Sequence, residues 1–206
     1  GPAVAAGNAF VGKPATTTPL SALVLFVCLD AAAEEMGAPD GLVNVVTGSG
    51  SMIGEEIVTH DAVASISFTG STAVGKYLAN NSGMTDVTLE LGGNDPTILW
   101  SDTDIEQAAA EIVQGACTNA GQVCNSVERV IVDEEVEDEA LAALSDAASR
   151  LTVGDPSDDE TDISAMVSDE EFKGTVELFE ETVEQGATVE YGGRYGDDFG
   201  DRVFEP

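Results

Sequence analysis

Short apolar segments alternate with helical segments along the first half of the chain, and glycines stand at most of the junctions. The apolar run at residues 42–47 leads through a glycine-rich turn into SMIGEEIVTH, and ASISFTG leads in the same way into STAVGKYLAN. Strands separated by helices of this length predict a parallel sheet whose strands are joined by helical crossovers. The alternation therefore predicts an α/β fold.

The remaining predicted elements complete this pattern in the first half and extend it into the second. AFVGKP and DVTLELGG predict two further strands, and a helix with an apolar face is predicted over residues 19–36, where Gly37 and Pro39 end it. DIEQAAAEIVQGACTNAG predicts a long amphipathic helix ahead of the strand VERVIVDEEV. Two helices are predicted at VEDEALAALSDAASRL and DEEFKGTVELFEETVEQG, and a closing strand at ATVEYGGRY.

Acidic residues outnumber basic residues 39 to 7, which gives a formal net charge of −32. A nucleic acid is excluded as a partner because neutralising its phosphates requires Lys and Arg. Two interpretations stay open: a disordered acidic chain, and a folded protein of halophilic type from a salt-rich cytoplasm, where screening makes the self-repulsion tolerable. The aliphatic content favours the folded protein. Circular dichroism against KCl tests this hypothesis, and full structure in dilute buffer would count against it.

The compartment is predicted from three further features. No apolar run is long enough to span a membrane, and no secretory signal pattern is visible at the first residues. Three cysteines, an odd number, argue against a disulfide framework. We therefore expect a cytoplasmic protein with reduced thiols. Because the chain opens without a methionine, we also expect it to be a fragment.

Two glycine-containing turns between a strand and a helix are candidates for binding phosphate. Gly48, Gly50 and Gly54 form the first, although their spacing departs from G-x-G-x-x-G and an ordinary strand-to-helix turn is the alternative. Gly70 and Ser71 form the second, where a hydroxyl and the N–H groups of a helix N-terminus suit an anion. Together the two turns indicate a dinucleotide site.

Lys13 is the only Lys or Arg in the first 75 residues, and it directly follows a predicted strand. In so acidic a chain it is either a ligand of a ribose or phosphate group or a solvent-exposed lysine in a turn. The spacing alone leaves both alternatives open.

Cys124 has more polar surroundings than the other two cysteines. Cys28 lies among Leu and Val on a predicted helix face and Cys117 shortly precedes a turn, so both are predicted to pack in the interior. Cys124 lies in NAGQVCNS, where a thiolate can accept hydrogen bonds from backbone amides. The only histidine, His60, is predicted at the surface, and no Cys or His spacing matches a metal site. A nucleophilic Cys124 would therefore depend on a carboxylate, or on a water held by one, as its base.

Glu90 is the candidate for that carboxylate. It is the single acid within the apolar strand VTLELGG, where partial desolvation would favour its neutral form. A structural glutamate in a salt bridge is the alternative, although basic partners are scarce in this chain.

The chain resembles the NAD(P)-dependent aldehyde dehydrogenases in seven stretches that occur in the order of that family. They are PAVAAGNAFVGKPATTTPLSAL, GAPDGLVNVVTG, ISFTGSTAVGKYL, TLELGGNDPTIL, NAGQVCNSVERVIV, VGDPSDDETDISAMVS and EQGATVEYGG, and FTGS, LELGG and GQVC are the most specific. The resemblance covers almost the whole chain. It implies a Rossmann-like parallel-sheet cofactor domain over residues 1–91 and an α/β catalytic domain over residues 92–206, both incomplete.

The resemblance also implies roles for individual residues. Cys124 corresponds to the nucleophile that attacks the aldehyde carbon; the thiohemiacetal passes hydride to the nicotinamide and becomes a thioester. Glu90 corresponds to the base that activates the water for hydrolysis, and the backbone N–H of Cys124 corresponds to one oxyanion donor. Lys13 corresponds to a ligand of the adenosine ribose, and Ser71 with Gly70 to the pyrophosphate site.

The cofactor expected from the resemblance is NAD or NADP. Gly50 and Phe68 correspond to the wall of the cofactor site. Many NAD-preferring members have a glutamate where this chain has Thr16, so NADP becomes plausible here. Asn94 replaces the common lysine after LELGG.

Several family elements lie outside this chain. They are the asparagine that completes the oxyanion hole, the Glu-x-Phe motif at the nicotinamide ribose and the oligomerisation strands. We therefore expect the chain to be inactive alone, and the full-length protein to be a homodimer or homotetramer.

Two function classes stay open. The first is hydrolytic oxidation of an aldehyde, where the presence of Glu90 favours release to water over transfer to coenzyme A. The second is a catalytically inactive acidic domain kept for binding or regulation, which would be expected to lose Cys124 or Glu90. The aldehyde also stays open, because GQVCNSVERV resembles lactaldehyde- and glycolaldehyde-type members and LELGGNDP resembles semialdehyde-type members.

Overall fold

Residues 1–196 and 200–206 are described by a computed structural model. Contacts divide the chain into two compact units, Gly1–Leu91 and Gly92–Pro206. The assignment of the first unit to cofactor binding and of the second to catalysis stays a prediction.

The first unit pairs its strands in parallel, two by two. β1 (Phe10–Gly12) pairs with β2 (Val43–Val45), and β3 (Ser65–Thr69) pairs with β4 (Asp86–Glu90). Its helices are α1 (Pro2–Ala5), α2 (Leu20–Glu35), α3 (Glu55–Thr59) and α4 (Thr72–Asn81), and a π-helical turn at Gly50–Gly54 leads into α3. Because α2 connects β1 to β2 and α4 connects β3 to β4, the predicted helical crossovers between parallel strands are confirmed.

The core of the first unit forms where β3 and β4 meet α3 and α4. The buried residues are Val58, Ile66 and Leu78, and the half-buried residues packed against them are Val63, Phe68, Val87 and Leu89. Alternate residues of both strands contribute because successive side chains of a strand point to opposite faces. Parallel pairing places Thr69 opposite Glu90, so the carboxyl ends of β3 and β4 lie at the same edge.

Within its described residues, 92–196 and 200–206, the second unit contains one parallel strand pair and three helices. β5 (Asp95–Leu99) pairs with β6 (Val127–Val132), and the helices are α5 (Ile105–Cys117), α6 (Glu137–Ser149) and α7 (Asp169–Glu184). Short 3-10 turns lie at Thr118–Gly121 and Glu134–Val136. The apolar face of α5 packs with α6 and the strand pair around a core of Leu99, Ile105, Ile112 and Ala140. The predicted long helix therefore exists, but it ends at Cys117.

Two strand predictions differ from the structure. β5 is not among the predicted strands because it carries Pro96, which has no N–H to donate to a strand ladder. The structure accommodates Pro96 with an irregular register between Asp95 and Pro96. The predicted closing strand at ATVEYGGRY is wrong: residues 187–194 form no strand, and Tyr195 makes only an isolated bridge to Phe204.

The predicted burial of Cys28 is also wrong. The α2 helix forms as predicted, but none of its residues is buried, and Leu20, Val24 and Val27 are 75%, 65% and 70% exposed. Its half-buried stripe includes Phe26, which stacks on Phe10. Cys28 follows Phe26 by two residues, which places it on roughly the opposite side of a helix with 3.6 residues per turn, and it is exposed.

No helix in residues 1–196 and 200–206 combines the length and the apolar character that crossing a membrane requires.

Candidate functional site

Cys124 lies in a tight turn between α5 and β6, and its side chain is exposed. The N–H of Ser126 donates to the carbonyl oxygen of Val123 over 3.0 Å. This bond closes a four-residue turn in which Cys124 holds the second position. A thiol presented in this way is accessible to a small molecule from solvent.

Ser126 anchors the downstream side of that turn. It is only 3% exposed, and its hydroxyl lies 3.3 Å from the carbonyl oxygen of Gly115 and 3.4 Å from that of Ala116. The last carbonyl groups of a helix have no partner within the helix, so a buried hydroxyl stabilises the end of α5 and fixes the turn to it. Sequence reasoning did not single out Ser126, although a serine two residues after Cys124 is visible in NAGQVCNS.

The upstream side of the turn is a left-handed segment. Asn119 and Ala120 both have φ of 55°, with ψ of 36° and 39°, and Gly121 has φ of 72°. A left-handed conformation costs a residue such as alanine roughly 1–2 kcal/mol. Strained backbone of this kind is maintained only where the surrounding contacts determine it, and it occurs often at functional sites.

Gly93 packs against the backbone of Cys124. A Cβ atom built on Gly93 would lie 2.7 Å from the carbonyl oxygen of Cys124 and 2.3 Å from Oδ2 of Asp95. The same Asp95 oxygen is buried and has no hydrogen-bond partner among the described residues. Packing therefore requires glycine at position 93, the second glycine of LELGG. Sequence reasoning did not assign this role.

Cys117 differs from Cys124 in burial. It is half-buried, and burial raises the pKa of its thiol. The packing predicted for Cys117 is therefore confirmed. Since the thiolate is the nucleophilic form, Cys117 is the less reactive kind of site.

Glu90 is the last residue of β4, and it is exposed. The expected partial desolvation of its carboxylate is therefore wrong for this chain. The reason is its position: alternate residues of β4 point away from the core, and Leu89 rather than Glu90 packs inward. The backbone of Glu90 accepts a 3.0 Å hydrogen bond from the N–H of Gly70, which brings it beside the second glycine turn.

Gly70 and Ser71 lie between β3 and α4. The hydroxyl of Ser71 caps α4 by accepting from the N–H of Val74 over 3.3 Å. A Cβ atom on Gly70 would lie 2.5 Å from the ring of Phe68, so glycine leaves the space that this ring occupies. Phe68 itself is half-buried against the core of the first unit.

Lys13 and Thr16 follow the carboxyl end of β1. Lys13 is half-buried, and its Nζ donates to the carbonyl oxygen of Pro14 over 2.8 Å. The Thr16 hydroxyl donates to the carbonyl oxygen of Gly48 over 3.3 Å, which joins this segment to the first glycine turn. Gly50 begins the π-helical turn and meets no atom within 4 Å of a Cβ position, so its backbone is open to a ligand.

Metal ligands are not grouped in the described part of the chain. There, no three His, Cys, Asp or Glu side chains lie close enough to hold a metal ion. His60 is exposed, as predicted, and its Nδ1 accepts from the N–H of Ala62 over 3.1 Å.

The structure therefore groups the predicted site residues in part. In the first unit, Thr16 contacts the glycine turn that contains Gly50, and Gly70 contacts the end of the strand that carries Glu90. Cys124 belongs to the second unit, with Gly93 and Ser126 around it.

Comparisons with known proteins agree along the whole chain. The aldehyde dehydrogenase family model matches residues 1–206. A 3-sulfolactaldehyde dehydrogenase from Priestia aryabhattai is 42% identical over 194 residues, which cover 94% of this chain and 40% of that relative.

Solved structures resemble the fold closely. The glyceraldehyde-3-phosphate dehydrogenase of Methanocaldococcus jannaschii, complexed with NADP, matches with a TM-score of 0.94 at 34% identity, over 100% of this chain and 44% of that structure. A mutant aldehyde dehydrogenase C of Pseudomonas syringae, complexed with NAD+ and octanal, matches with a TM-score of 0.90 at 31% identity, over 100% of this chain and 42% of that structure.

The chain thus spans about two fifths of the length of these relatives. Its strands, its glycine turns and the cysteine turn all lie within the matched region. The chain belongs to the aldehyde dehydrogenase family.

Proposed function

We propose that the protein carrying this chain oxidises an aldehyde to a carboxylic acid with NAD+ or NADP+, and that Cys124 is its nucleophile. The observation that carries the proposal is the exposed Cys124 thiol in a turn anchored by buried Ser126. Membership of the aldehyde dehydrogenase family supports the reaction type. The relatives complexed with NADP and with NAD+ support the cofactor class.

The chemistry follows from a thiolate that forms and breaks bonds to carbon. Attack of the Cys124 thiolate on the aldehyde carbon gives a thiohemiacetal, whose alkoxide is stabilised by the backbone N–H of Cys124. A nicotinamide cofactor held by the first unit would supply the hydride acceptor, and loss of hydride from the thiohemiacetal would leave a thioester on Cys124. Glu90 takes a proton from water as the water attacks the thioester; the carboxylic acid departs and the thiolate is restored.

The residues of the first unit fit a phosphate-bearing cofactor. Residues 41–54 and 62–85, which contain both glycine turns, have no Asp or Glu in a chain with 39 acidic residues. The N-terminus of α4 presents backbone N–H groups, and Ser71 adds a hydroxyl there. In this proposal Gly70 and Ser71 bind the pyrophosphate, Lys13 and Thr16 bind the adenosine ribose, and Gly50 and Phe68 form the wall of the site.

Cys124→Ala in the full-length protein tests the assignment. Aldehyde oxidation is measured with NAD+ and with NADP+ over a panel of aldehydes in molar KCl. Activity should fall to background in Cys124→Ala and should persist in Cys28→Ala, which removes an exposed thiol elsewhere. Undiminished activity in Cys124→Ala would refute the nucleophile.

Residues 1–206 alone are expected to show no aldehyde oxidation, since they cover about two fifths of the relatives. Turnover by this chain alone would contradict that expectation. An inactive regulatory domain receives no support here, because Cys124 and Glu90 are both present.

A further inference from the structure

Gln122 uses both ends of its side-chain amide. Its Nε2 donates to the carbonyl oxygen of Asn119 over 2.9 Å, and its Oε1 accepts from the N–H of Val167 over 2.9 Å. Asn119 belongs to the left-handed segment, which ends two residues before the Cys124 turn begins. Val167 follows Gln122 by 45 residues in the chain. Gln122 is itself half-buried.

The segment that Gln122 reaches is held independently. Nη1 of Arg202 donates to the carbonyl oxygen of Val167 over 3.1 Å, and the N–H of Met166 donates to the carbonyl oxygen of Arg202 over 2.9 Å. Met166 is buried, and Ser168 caps α7 through the N–H of Glu171. The Val167 peptide is therefore a fixed support against which Gln122 can hold the cysteine turn.

The left-handed segment needs such a support. Asn119 and Ala120 both occupy a backbone conformation that L-residues disfavour, and they persist there only if neighbouring contacts determine it. Backbone contacts around Asn119 also involve Gln122, whose N–H donates to the Asn119 carbonyl oxygen over 3.2 Å. The Gln122 side chain joins this segment to Val167, which directly precedes the N-cap of α7.

We propose that Gln122 is a positioning residue, which holds the Cys124 turn against the Val167 peptide so that the thiolate meets its substrate in one orientation. The proposal deepens the proposed function and rests on Cys124 as the nucleophile. Gln122 does not touch the reacting atoms in this role; it acts through the backbone on either side of Cys124.

Two variants of the full-length protein separate the two hydrogen bonds. Gln122→Met keeps the length of the side chain and removes both bonds. Gln122→Glu keeps an acceptor for Val167 and replaces the donor to Asn119 with a carboxylate, so it tests the Val167 bond by itself. Gln114→Met is the matched control, because Gln114 is exposed on α5 and its side chain makes no hydrogen bond within the described residues.

Two measurements distinguish positioning from stability. The first is the determination of kcat and KM with an aldehyde substrate. The second is the rate at which iodoacetamide alkylates Cys124 as a function of pH, measured on the peptide that contains Cys124 by mass spectrometry. We expect Gln122→Met to lower kcat by roughly tenfold to a hundredfold, with KM changed less than about twofold and an altered alkylation profile. Gln122→Glu should recover part of kcat, and Gln114→Met should match the parent protein.

The proposal is overturned if Gln122→Met, or Gln122→Ala should Gln122→Met fail to fold, keeps kcat and the alkylation profile of the parent. A lower melting temperature with both readouts unchanged would also overturn it, because that is a purely structural role. Alkylation does not require turnover, so this result stands apart from a failure of the proposed function, which Cys124→Ala reports.

Discussion

Gly93 and Cys124 are in backbone contact: a Cβ atom on Gly93 would lie 2.7 Å from the carbonyl oxygen of Cys124. The other close atom, Oδ2 of Asp95, belongs to a side chain that can rotate, whereas the Cys124 carbonyl is part of the turn itself. Gly93, three residues beyond the end of β4, is therefore coupled by packing to the position of the candidate nucleophile.

Gly93→Ala should displace the Cys124 turn. Overpacking of this kind costs about 1–3 kcal/mol, and the displaced thiolate should lower kcat. Thermal unfolding and aldehyde turnover of the full-length protein measure the two effects. Gly92→Ala is the control, because a Cβ there meets nothing within 4 Å and the residue has no positive φ. Equal behaviour of the two variants would contradict the contact.

Ala120→Gly should stabilise the protein, because glycine adopts a φ of 55° without the steric penalty of a Cβ atom. Glycine is more flexible than alanine in the unfolded chain, and ordering it reduces this gain. The net increase in the free energy of unfolding is expected to be about 0.5–1 kcal/mol. Ala110→Gly, on the exposed side of α5, should instead destabilise by about 0.5–1 kcal/mol. Chemical unfolding measures both, and a loss of stability in Ala120→Gly would argue against the left-handed backbone.

The Arg194–Glu205 ion pair should make stability depend on acid pH. Hydrogen bonds from Arg194 hold the pKa of the buried Glu205 carboxyl below its ordinary value, and Nε of Arg194 lies 2.6 Å from Oε2. Because the folded pKa is lowered, this contribution is present above the unfolded value of about 4.3 and is lost as the pH falls through the folded value.

Glu205→Gln should therefore destabilise the protein near neutral pH by about 1–3 kcal/mol and weaken the loss of stability on acidification. Melting temperatures measured from about pH 7 down to pH 3 test this. Glu190→Gln, at an exposed position outside this pair, serves as the control. If the melting temperature falls as steeply with decreasing pH in Glu205→Gln as in the parent, the ion pair does not contribute to the acid dependence of stability.

Thr16→Glu should shift the cofactor preference toward NAD+. The Thr16 hydroxyl bonds the carbonyl oxygen of Gly48, so a glutamate would place a charge beside the first glycine turn, where it repels a 2′-phosphate. Since the Debye length is about 3 Å in molar salt, only a charge in near contact should act. The ratio of kcat/KM for NADP+ and NAD+ should fall at least about tenfold, which corresponds to about 1.4 kcal/mol.

Thr18→Glu adds the same charge at an exposed position two residues further along, and it should leave the ratio unchanged. An equal shift in both variants would mean that overall charge, rather than the Thr16 position, sets the preference.

The thiols should react in the order of their exposure. Cys124 and Cys28 are exposed, whereas Cys117 is half-buried and burial raises the pKa of its thiol. Brief treatment of the native protein with iodoacetamide near neutral pH should modify Cys117 last, as read by peptide mass spectrometry. Faster modification of Cys117 than of Cys28 would contradict the described burial.

Local patterns were sufficient to predict most helices and the parallel pairing of the strands. The alternation of residues 42–81 and the capping serine of α4 are properties of neighbouring residues, so they are readable without the fold. Cys124 could be selected in the same way, because its polar neighbours and the family motifs lie in one short stretch. β5 could not, since Pro96 removes the local signal and only pairing with β6 defines the strand.

The sequence by itself determined the periodicity of each element, the absence of acidic residues around the two glycine turns, and the identity of the candidate nucleophile. Tertiary structure alone decided which faces are covered: it left Cys28 and Glu90 exposed, buried Ser126, and set Gly93 against the Cys124 backbone. The physical reason is that burial and close packing are relations between residues distant in sequence, whereas secondary-structure preference and charge pattern belong to residues close together.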